Sequence, residues 1–169
     1  METFEQELKV PKKTVSVDLA LMGHKVRRVE LYLVPHGDGT SSRQELIDLL
    51  LQDREFLPAE DVEGGQRFLF NTRKVLWISL PSREAPPADR EEEWLDRQHA
   101  ACLDLEDGTM LVGQLLYSAR ADNARVLDHL NNSEEPYLRL RRDGAVVLVN
   151  KAYVARVYDQ GKQRPQGAK

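Results

Sequence analysis

Residues 125–131 read Arg-Val-Leu-Asp-His-Leu-Asn, and residues 45–51 read Glu-Leu-Ile-Asp-Leu-Leu-Leu. The two segments share an aspartate at their fourth position and a leucine at their sixth, and positions two and three are apolar in both. Apolar side chains at this spacing form one stripe along a helix. The pair therefore predicts two related short helices in different halves of the chain.

Two further pairs of segments occur in the same order along the chain. Residues 68–71 (Phe-Leu-Phe-Asn) align with residues 147–150 (Val-Leu-Val-Asn), and residues 17–19 (Val-Asp-Leu) align with residues 103–105 (Leu-Asp-Leu). Three matches in one order indicate an internal duplication, which decides the architecture before any single element does.

The duplication divides the chain into four parts. Residues 12–80 and 99–159 are the two predicted repeats, and residues 81–98 form an acidic, proline-rich linker between them. Residues 160–169 form a basic tail that we expect to be flexible.

Each repeat is predicted to contain two strands, a helix and three more strands. Residues 14–21 alternate apolar with small or polar side chains, which is typical of a half-buried strand. Asp107-Gly108 is typical of a hairpin turn, and Asn71 and Asn150 are placed to hold turns. Five short strands around a small core predict a mainly β (α+β) fold, a tandem repeat of a small, partly open β-barrel of the Sm or SH3-like kind.

The inserted helix of each repeat is expected to close one opening of its barrel. A capping box at residues 42–45 (Ser-Arg-Gln-Glu) marks the start of the first helix. The apolar stripe that should be buried recurs in both helices. Its members are Leu46, Ile47 and Leu50 in the first repeat and Val126, Leu127 and Leu130 in the second.

The composition narrows the class of protein. The chain has 169 residues, of which 41% are hydrophobic and 31% charged, as expected for a folded globule. No apolar run approaches the roughly 18 residues that span a membrane. The formal charge of −4 disfavours a dedicated nucleic-acid binder, and a single cysteine, Cys102, excludes an internal disulfide framework. We therefore expect a cytoplasmic protein that does not associate with membranes.

The residues that carry chemistry are sparse. Cys102 lies on a predicted strand with His99 three positions away, and positions three apart on a strand face opposite sides. The four histidines are scattered, and the chain has no Gly-x-Ser-x-Gly segment. The sequence thus predicts no catalytic residue, no metal site and no cofactor, and a core position for Cys102.

The second repeat carries a resemblance. The residues concerned are Arg125, Leu127, Asp128, Leu130, Asn131, Asn150, Lys151 and Val154. They resemble a bacterial domain family of unknown function that has an R-L-x-D-x-L-N segment and a closing N-K-x-x-I strand. The first repeat keeps Asp48, Leu50, Asn71 and Val75 of this pattern. The resemblance implies a bacterial source and two degenerate copies of the domain, and it implies no established activity.

Trp94 is a candidate for binding a partner. It is a large apolar side chain in a charged linker, so it should be buried either between the repeats or by another protein. Together with the sparse chemistry, this favours a non-catalytic protein-binding or adaptor module in a bacterial cytoplasmic assembly or regulatory pathway. We expect another protein as partner, and the chain as a pseudo-symmetric monomer or a homodimer.

Two alternatives stay open at this stage. Tyr137, Arg139, Arg141 and Arg142 form the clearest basic and aromatic cluster in the sequence. Alternation would place Tyr137, Arg139 and Arg141 on one solvated strand face, where they could contact RNA, single-stranded DNA or an acidic partner. A cleft between the repeats could instead bind a small ligand or hold an enzyme's active site.

Overall fold

The computed structural model describes residues 13–33, 42–52, 54–80, 97–118 and 125–160. Trp94, most of the predicted linker and nearly all of the basic tail lie outside these residues. A strand begins at Arg97, so the last two residues of the predicted 81–98 linker already belong to the second half. Neither helix in the described part of the chain is long and apolar enough to cross a membrane.

The elements follow the predicted order in both halves. The first half contains β1 (Lys13–Leu21), β2 (Arg27–Leu33), α1 (Ser42–Leu51), β3 (Phe56–Asp61), β4 (Arg67–Asn71) and β5 (Val75–Leu80). The second half contains β6 (Arg97–Leu105), β7 (Met110–Tyr117), α2 (Val126–Asn132), β8 (Tyr137–Arg142), β9 (Ala145–Asn150) and β10 (Val154–Asp159). The prediction of a mainly β fold with one short helix inserted in each half is confirmed for the described residues.

All ten strands of the described chain form one antiparallel sheet. Their order is β10-β6-β7-β8-β9-β5-β1-β2-β3-β4, so the fifth, first, second, third and fourth strands follow one another in each half. The halves are joined edge to edge, because β5 pairs with β9. One continuous open sheet therefore stands where two separate barrels were expected, and β4 and β10 are its terminal strands.

The hydrogen bonds around the first hairpins correct the alignment of the two halves. Met22 N–H donates to the Lys74 carbonyl at 2.8 Å, and Glu106 N–H donates to the Tyr153 carbonyl at 2.9 Å. Residues 19–21 therefore correspond to residues 103–105, and the predicted match of residues 17–19 was shifted by two. A shift of two keeps every side chain on its face, so the hydrophobic pattern could not detect it.

Two asparagines hold the turns that precede β5 and β10. The side chain of Asn71 accepts a hydrogen bond from Arg73 N–H at 2.9 Å, and that of Asn150 accepts one from Ala152 N–H at 3.1 Å. Each asparagine caps a single turn of 3-10 helix that leads into the last strand of its half. The predicted turn role of both residues is confirmed.

Each half has a hydrophobic core, and each core is completed by the other half. Leu148 of β9 and Tyr137 of β8 belong to the core of the first half, beneath α1. Leu76 of β5 and Ala20 of β1 belong to the core of the second half. Burying one leucine side chain contributes roughly 1.5–3 kcal/mol, so these exchanged side chains hold the halves together.

The two helices differ in burial although their apolar stripes are alike. Leu46, Ile47 and Leu50 of α1 are buried, as predicted. In α2 no residue is buried and Leu127 is 64% exposed, so the prediction that the second helix is a buried plug is wrong. The reason lies in the sheet: β8 and β9 lie beside α1, whereas α2 lies at the end where β10 terminates the sheet.

Candidate functional site

The predicted contact residues of β8 lie at the junction of the two halves. Tyr137 is 9% exposed and sits in the first core, where burial raises its pKa to about 12. Arg139 is also 9% exposed, and its guanidinium donates to the Glu135 carboxylate at 2.6 Å. The solvated face that alternation predicted for Tyr137 and Arg139 is therefore wrong, because a strand at the junction is covered on both sides.

The two remaining arginines of that cluster are half-buried. Arg141 lies opposite Gln114 of β7, and Arg142 ends β8 with its Nε 3.6 Å from the Asp143 carboxylate. The structure thus separates Arg142 at the strand end from Tyr137 and Arg139 in the junction, and the four residues do not share one exposed surface.

The junction itself has no room for a small ligand at the place where the helix meets β8. A cavity between Ile47 and Leu51 of α1 and Tyr137 and Leu148 measures about 10 Å³. A volume of roughly 10–15 Å³ is the least that holds one water molecule. A ligand site at this point of the junction is therefore not supported.

Strand pairing and two side-chain hydrogen bonds close the junction. Trp77 lies opposite Val149 and Ile78 opposite Leu148 in the antiparallel register of β5 and β9. The Asn150 amide donates to the Val75 carbonyl at 2.8 Å, and the Tyr153 hydroxyl donates to the Arg73 carbonyl at 2.6 Å. The junction thus shows which backbone pairing and side-chain contacts form when a strand is added beside β9.

A large groove lies beside β4, at the terminal edge of the first half. Its volume is about 510 Å³, in the range of sites that bind ligands or the side chains of a partner. The apolar walls come from β1 and β4. They are Leu19, Leu21, Phe68, Leu69 and Phe70. The size and apolar character of this groove make it the candidate site.

Basic side chains surround the groove. They are His24, Lys25, Arg27 and Lys74. Arg27 donates to the Asp61 carboxylate at 2.7 Å, and this bond, with backbone N–H groups of Glu63 and Gly64, holds the pKa of Asp61 below its usual range. Because Arg27 is already paired with Asp61, Lys25 and Lys74 are the cations best placed to attract an acidic group.

The edge of β4 is tied to β3 and β2 by a second polar cluster. Arg67 donates from Nε to the Glu60 carboxylate at 3.0 Å, and the Tyr32 hydroxyl donates to the same carboxylate oxygen at 3.0 Å. Arg67 and Tyr32 together lower the pKa of Glu60, while burial and the contact with Glu60 raise the pKa of Tyr32. These bonds fix β4 in position and leave its outer side as the sheet edge.

Two apolar side chains stand exposed at this edge. Leu69 is 44% exposed and Phe56 is 53% exposed. Their counterparts in the second half, Leu148 and Tyr137, are 1% and 9% exposed. Leu69 lies on the terminal strand β4 and Phe56 on the neighbouring strand β3. Large apolar groups exposed at the edge of a sheet are typical of an interaction surface.

A second cavity lies at the opposite end of the sheet, between α2 and β10. Its volume is about 500 Å³, and Tyr117, Val126, Leu127, Leu130 and Val157 contribute its apolar lining. Next to it, the His129 ring lies 5.4 Å from the Tyr117 ring, measured between centroids. Burial lowers the pKa of His129, so its neutral form is favoured there.

Cys102 and His99, the residues that the sequence analysis considered for catalysis, both lie within the described residues. Cys102 is a buried, free thiol, which confirms its predicted core position. The His99 ring lies 3.0 Å from the Asp159 carboxylate. No group of three or more His, Cys, Asp and Glu side chains in the described part of the chain could hold a metal ion.

One feature of the sequence indicates the groove beside β4. Residues 68–70 are three consecutive large apolar residues on a terminal strand. A strand with one solvated face alternates apolar and polar residues, whereas a continuous apolar run indicates that both faces are covered.

Comparison of the chain with protein-family models, curated proteins and solved structures finds no significant match. The resemblance of the second half to a bacterial domain family of unknown function therefore stays a prediction.

Proposed function

We propose that this chain is a non-catalytic protein-binding module that receives a β-strand of its partner along the edge of β4. In this proposal each half is a degenerate copy of a small, partly open barrel of the Sm or SH3-like kind. The partner's apolar side chains fill the groove beside β4. The resemblance to a bacterial family supports a bacterial source, and the single cysteine supports a cytoplasmic assembly or regulatory pathway as the setting of the module.

The internal junction is the observation that carries this proposal. The surface of the second half that corresponds to the groove is formed by Leu103, Leu105, Val147 and Val149. That surface is covered by four side chains of the first half. They are Ala20, Met22, Leu76 and Trp77. One copy of the groove is thus filled by a neighbour that adds strand β5, and no residue of the described ranges fills the other copy.

The exposed edge supplies the rest of the binding energy. A terminal strand has backbone N–H and C=O groups that an added strand can pair with, and alternate side chains of that strand can enter pockets. Lys25 and Lys74 at the rim favour a strand that carries acidic residues beside its apolar ones.

Nucleic-acid binding is less well supported at this end of the molecule. Three arginines of the edge are paired with acids, Arg27 with Asp61 at 2.7 Å, Arg67 with Glu60 at 3.0 Å and Arg73 with Glu55 at 2.8 Å. Acids at these distances neutralise the cations that would otherwise contact phosphates.

Selection from a library of displayed random peptides tests the proposal. The wild-type chain should enrich extended peptides that combine apolar and acidic residues, and Leu69→Lys should bind them at least about tenfold more weakly because it places a charge in an apolar contact. Val112→Lys is the matched control, since Val112 is 54% exposed on β7, away from the groove.

Two outcomes would reject this function. The first is a selection in which no peptide depends on Leu69. The second is tight binding of a single-stranded RNA that weakens steeply with salt and needs Lys25 and Lys74, which would establish the nucleic-acid alternative instead.

A further inference from the structure

We propose that the partner strand is β10 of a second copy of this chain, so that the molecules join head to tail by repeating the junction that already joins their halves. This inference rests on the proposed function and names its partner. In the sheet order β4 and β10 are the two terminal strands. They correspond to β9 and β5, the two strands that pair inside the chain.

The internal register predicts the register between chains. Ile78 lies opposite Leu148 at the junction. The corresponding residues are Val157 of β10 and Leu69 of β4, which are 37% and 44% exposed in the single chain. The same register places Asp159 opposite Arg67, a pair of opposite charge.

On one face of the sheet, exposed apolar side chains at the β4 end match a cavity at the β10 end. At the junction, Leu148 and Tyr137 enter the first core beneath α1. Their exposed counterparts are Leu69 and Phe56. The corresponding place in the second half is the cavity of about 500 Å³ between α2 and β10. A second copy would therefore fill this cavity with Leu69 and Phe56.

The residues lining that cavity support the correspondence. Val126, Leu127, Leu130, Val157 and Tyr117 align with five side chains of the first half. These are Leu46, Ile47, Leu50, Ile78 and Leu33, all of which are buried in the first core together with Leu148 and Tyr137. In the part of the chain that the structure describes, the cavity is thus a core surface without the covering side chains that its counterpart has.

On the other face, the two contacts differ in charge. At the junction, Ala20, Met22, Leu76 and Trp77 cover the second core. The residues at the same positions of the second half are Asp104, Glu106, Ala155 and Arg156, with Arg156 bonded to Asp104 at 2.7 Å. Asp104 and Arg156 neutralise each other in this ion pair, so Glu106 supplies the net negative charge of the surface that would enter the groove beside β4.

The rim of the groove beside β4 differs from its counterpart in the second half by carrying positive charge. Its rim residues His24, Lys25, Arg27 and Lys74 correspond to Gly108, Thr109, Leu111 and Tyr153, which carry no charge. The internal contact is thus apolar against apolar, and the contact between chains is acidic against basic. Such complementarity favours head-to-tail pairing and speeds encounter at low salt.

One hydrogen bond should also repeat. At the junction, the Asn150 amide donates to the Val75 carbonyl at 2.8 Å. Its counterpart Asn71 uses its oxygen in the same cap, and its NH₂ group has no hydrogen-bond partner within the described residues. The corresponding acceptor is the Val154 carbonyl of a second copy.

Head-to-tail contacts of this kind generate a closed ring when the rotation between subunits closes, and a filament when it does not. Analytical ultracentrifugation of the full chain at low and high salt tests the association. We expect masses that are multiples of 19.3 kDa at low salt. Raising the salt concentration should weaken the association, and Leu69→Lys should weaken it at least about tenfold.

Val112→Lys is the control for an added surface charge, and thermal melting of both variants verifies that each is folded. Association by the wild type and by Val112→Lys, but not by Leu69→Lys, supports the inference. The inference is overturned if the mass of the wild-type chain stays at 19.3 kDa at protein concentrations up to about 100 μM. It is also overturned if Leu69→Lys leaves the association unchanged.

Cross-linking tests the register directly. Residues directly opposite in an antiparallel pair have Cβ atoms about 4.5–5.5 Å apart, close to the reach of a disulfide. A Leu69→Cys chain mixed with a Val157→Cys chain under oxidising conditions should form a covalent heterodimer, and Leu69→Cys mixed with Val112→Cys should not. Equal yields from the two mixtures would overturn the register. The native Cys102 is buried and gives little background.

These results are distinguishable from failure of the proposed function. A chain that stays monomeric yet selects peptides through Leu69 is a strand-binding module for another protein, which rejects the self-assembly and keeps the function. A chain that neither associates nor selects peptides rejects both.

Discussion

The helices α1 and α2 have related sequences and contrasting surroundings. Leu50 of α1 is 7% exposed under the strands of the other half, whereas Leu127 of α2 is 64% exposed at the end of the sheet. The apolar stripe is present in both, so the stripe alone does not decide burial. Strands β8 and β9 of the second half cover the side of the first core that lies beneath α1. Among the described residues, no strand of the first half covers the corresponding side of the second core beside α2.

The largest effect should come from the residue that a neighbour contributes. Leu148→Ala removes a side chain that is 1% exposed and belongs to the core of the other half, so it should lower the free energy of unfolding by about 3–5 kcal/mol. The counterpart Leu69→Ala should cost less than about 1 kcal/mol in the isolated chain. Urea unfolding of dilute protein measures both, and equal losses would break the contrast between junction and edge.

The two helices give the next comparison. Leu50→Ala should cost about 2–3 kcal/mol, because the residue is buried in the first core. Leu130→Ala, at a half-buried position beside the cavity, should cost about 1 kcal/mol. The difference should shrink where the chain self-associates, since a second copy would cover Leu130. If both variants unfold alike in dilute solution, α2 is better packed than the structure shows.

Variants of the two asparagines distinguish the stability contributed by the cap from that contributed by the hydrogen bond across the junction. Asn71→Ala removes one cap and should cost about 1 kcal/mol. Asn150→Ala removes the same cap and also leaves the buried Val75 carbonyl without its donor, so it should cost about 2 kcal/mol. Thermal unfolding at low concentration gives the two values, and a larger loss for Asn71→Ala would contradict the equivalence of the two turns.

The smallest effect concerns pH. Burial lowers the pKa of His129, with Lys151 and Arg139 acting in the same direction and Glu135 opposing them. The unfolded chain, with a histidine pKa of about 6.5, then binds a proton before the folded chain does. Stability should therefore fall as the pH drops below about 6.5, until the lowered folded pKa is passed.

His129→Leu is the matched variant, because the aligned residue of α1 is the buried Leu49. The difference in unfolding free energy between wild type and variant, measured from pH 7.5 to 5, isolates the contribution of His129 from the other histidines. A difference that does not change with pH would show that His129 titrates alike in both states.

The sequence was sufficient for the local part of the fold. Alternation located β1, a capping box marked the start of α1 at Ser42, and Asn71 and Asn150 hold the turns that were expected. These features depend on neighbours within a few residues, so one sequence contains them. The alignment of the first strand of one half with that of the other was wrong by two residues, because a shift of two leaves each side chain on the same face of the sheet.

The long-range part was not accessible in the same way. Tyr137 and Arg139 are buried because β9 pairs with β5, a contact between residues about seventy positions apart that no local pattern encodes. The groove beside β4 follows from the same pairing, since it becomes recognisable only when its filled counterpart is seen. Trp94 lies outside the described residues, so its predicted role stays a prediction.

The pairing of β5 with β9 also has a consequence for synthesis on the ribosome. β5 ends at Leu80, and its partner begins only at Ala145. At roughly 5–20 residues per second, the first half waits on the order of 3–13 s for the strand that completes it. During that interval β5 can pair with β1, but its other edge stays open, so chaperone capture and co-translational aggregation would both act at that edge before the full-length protein exists.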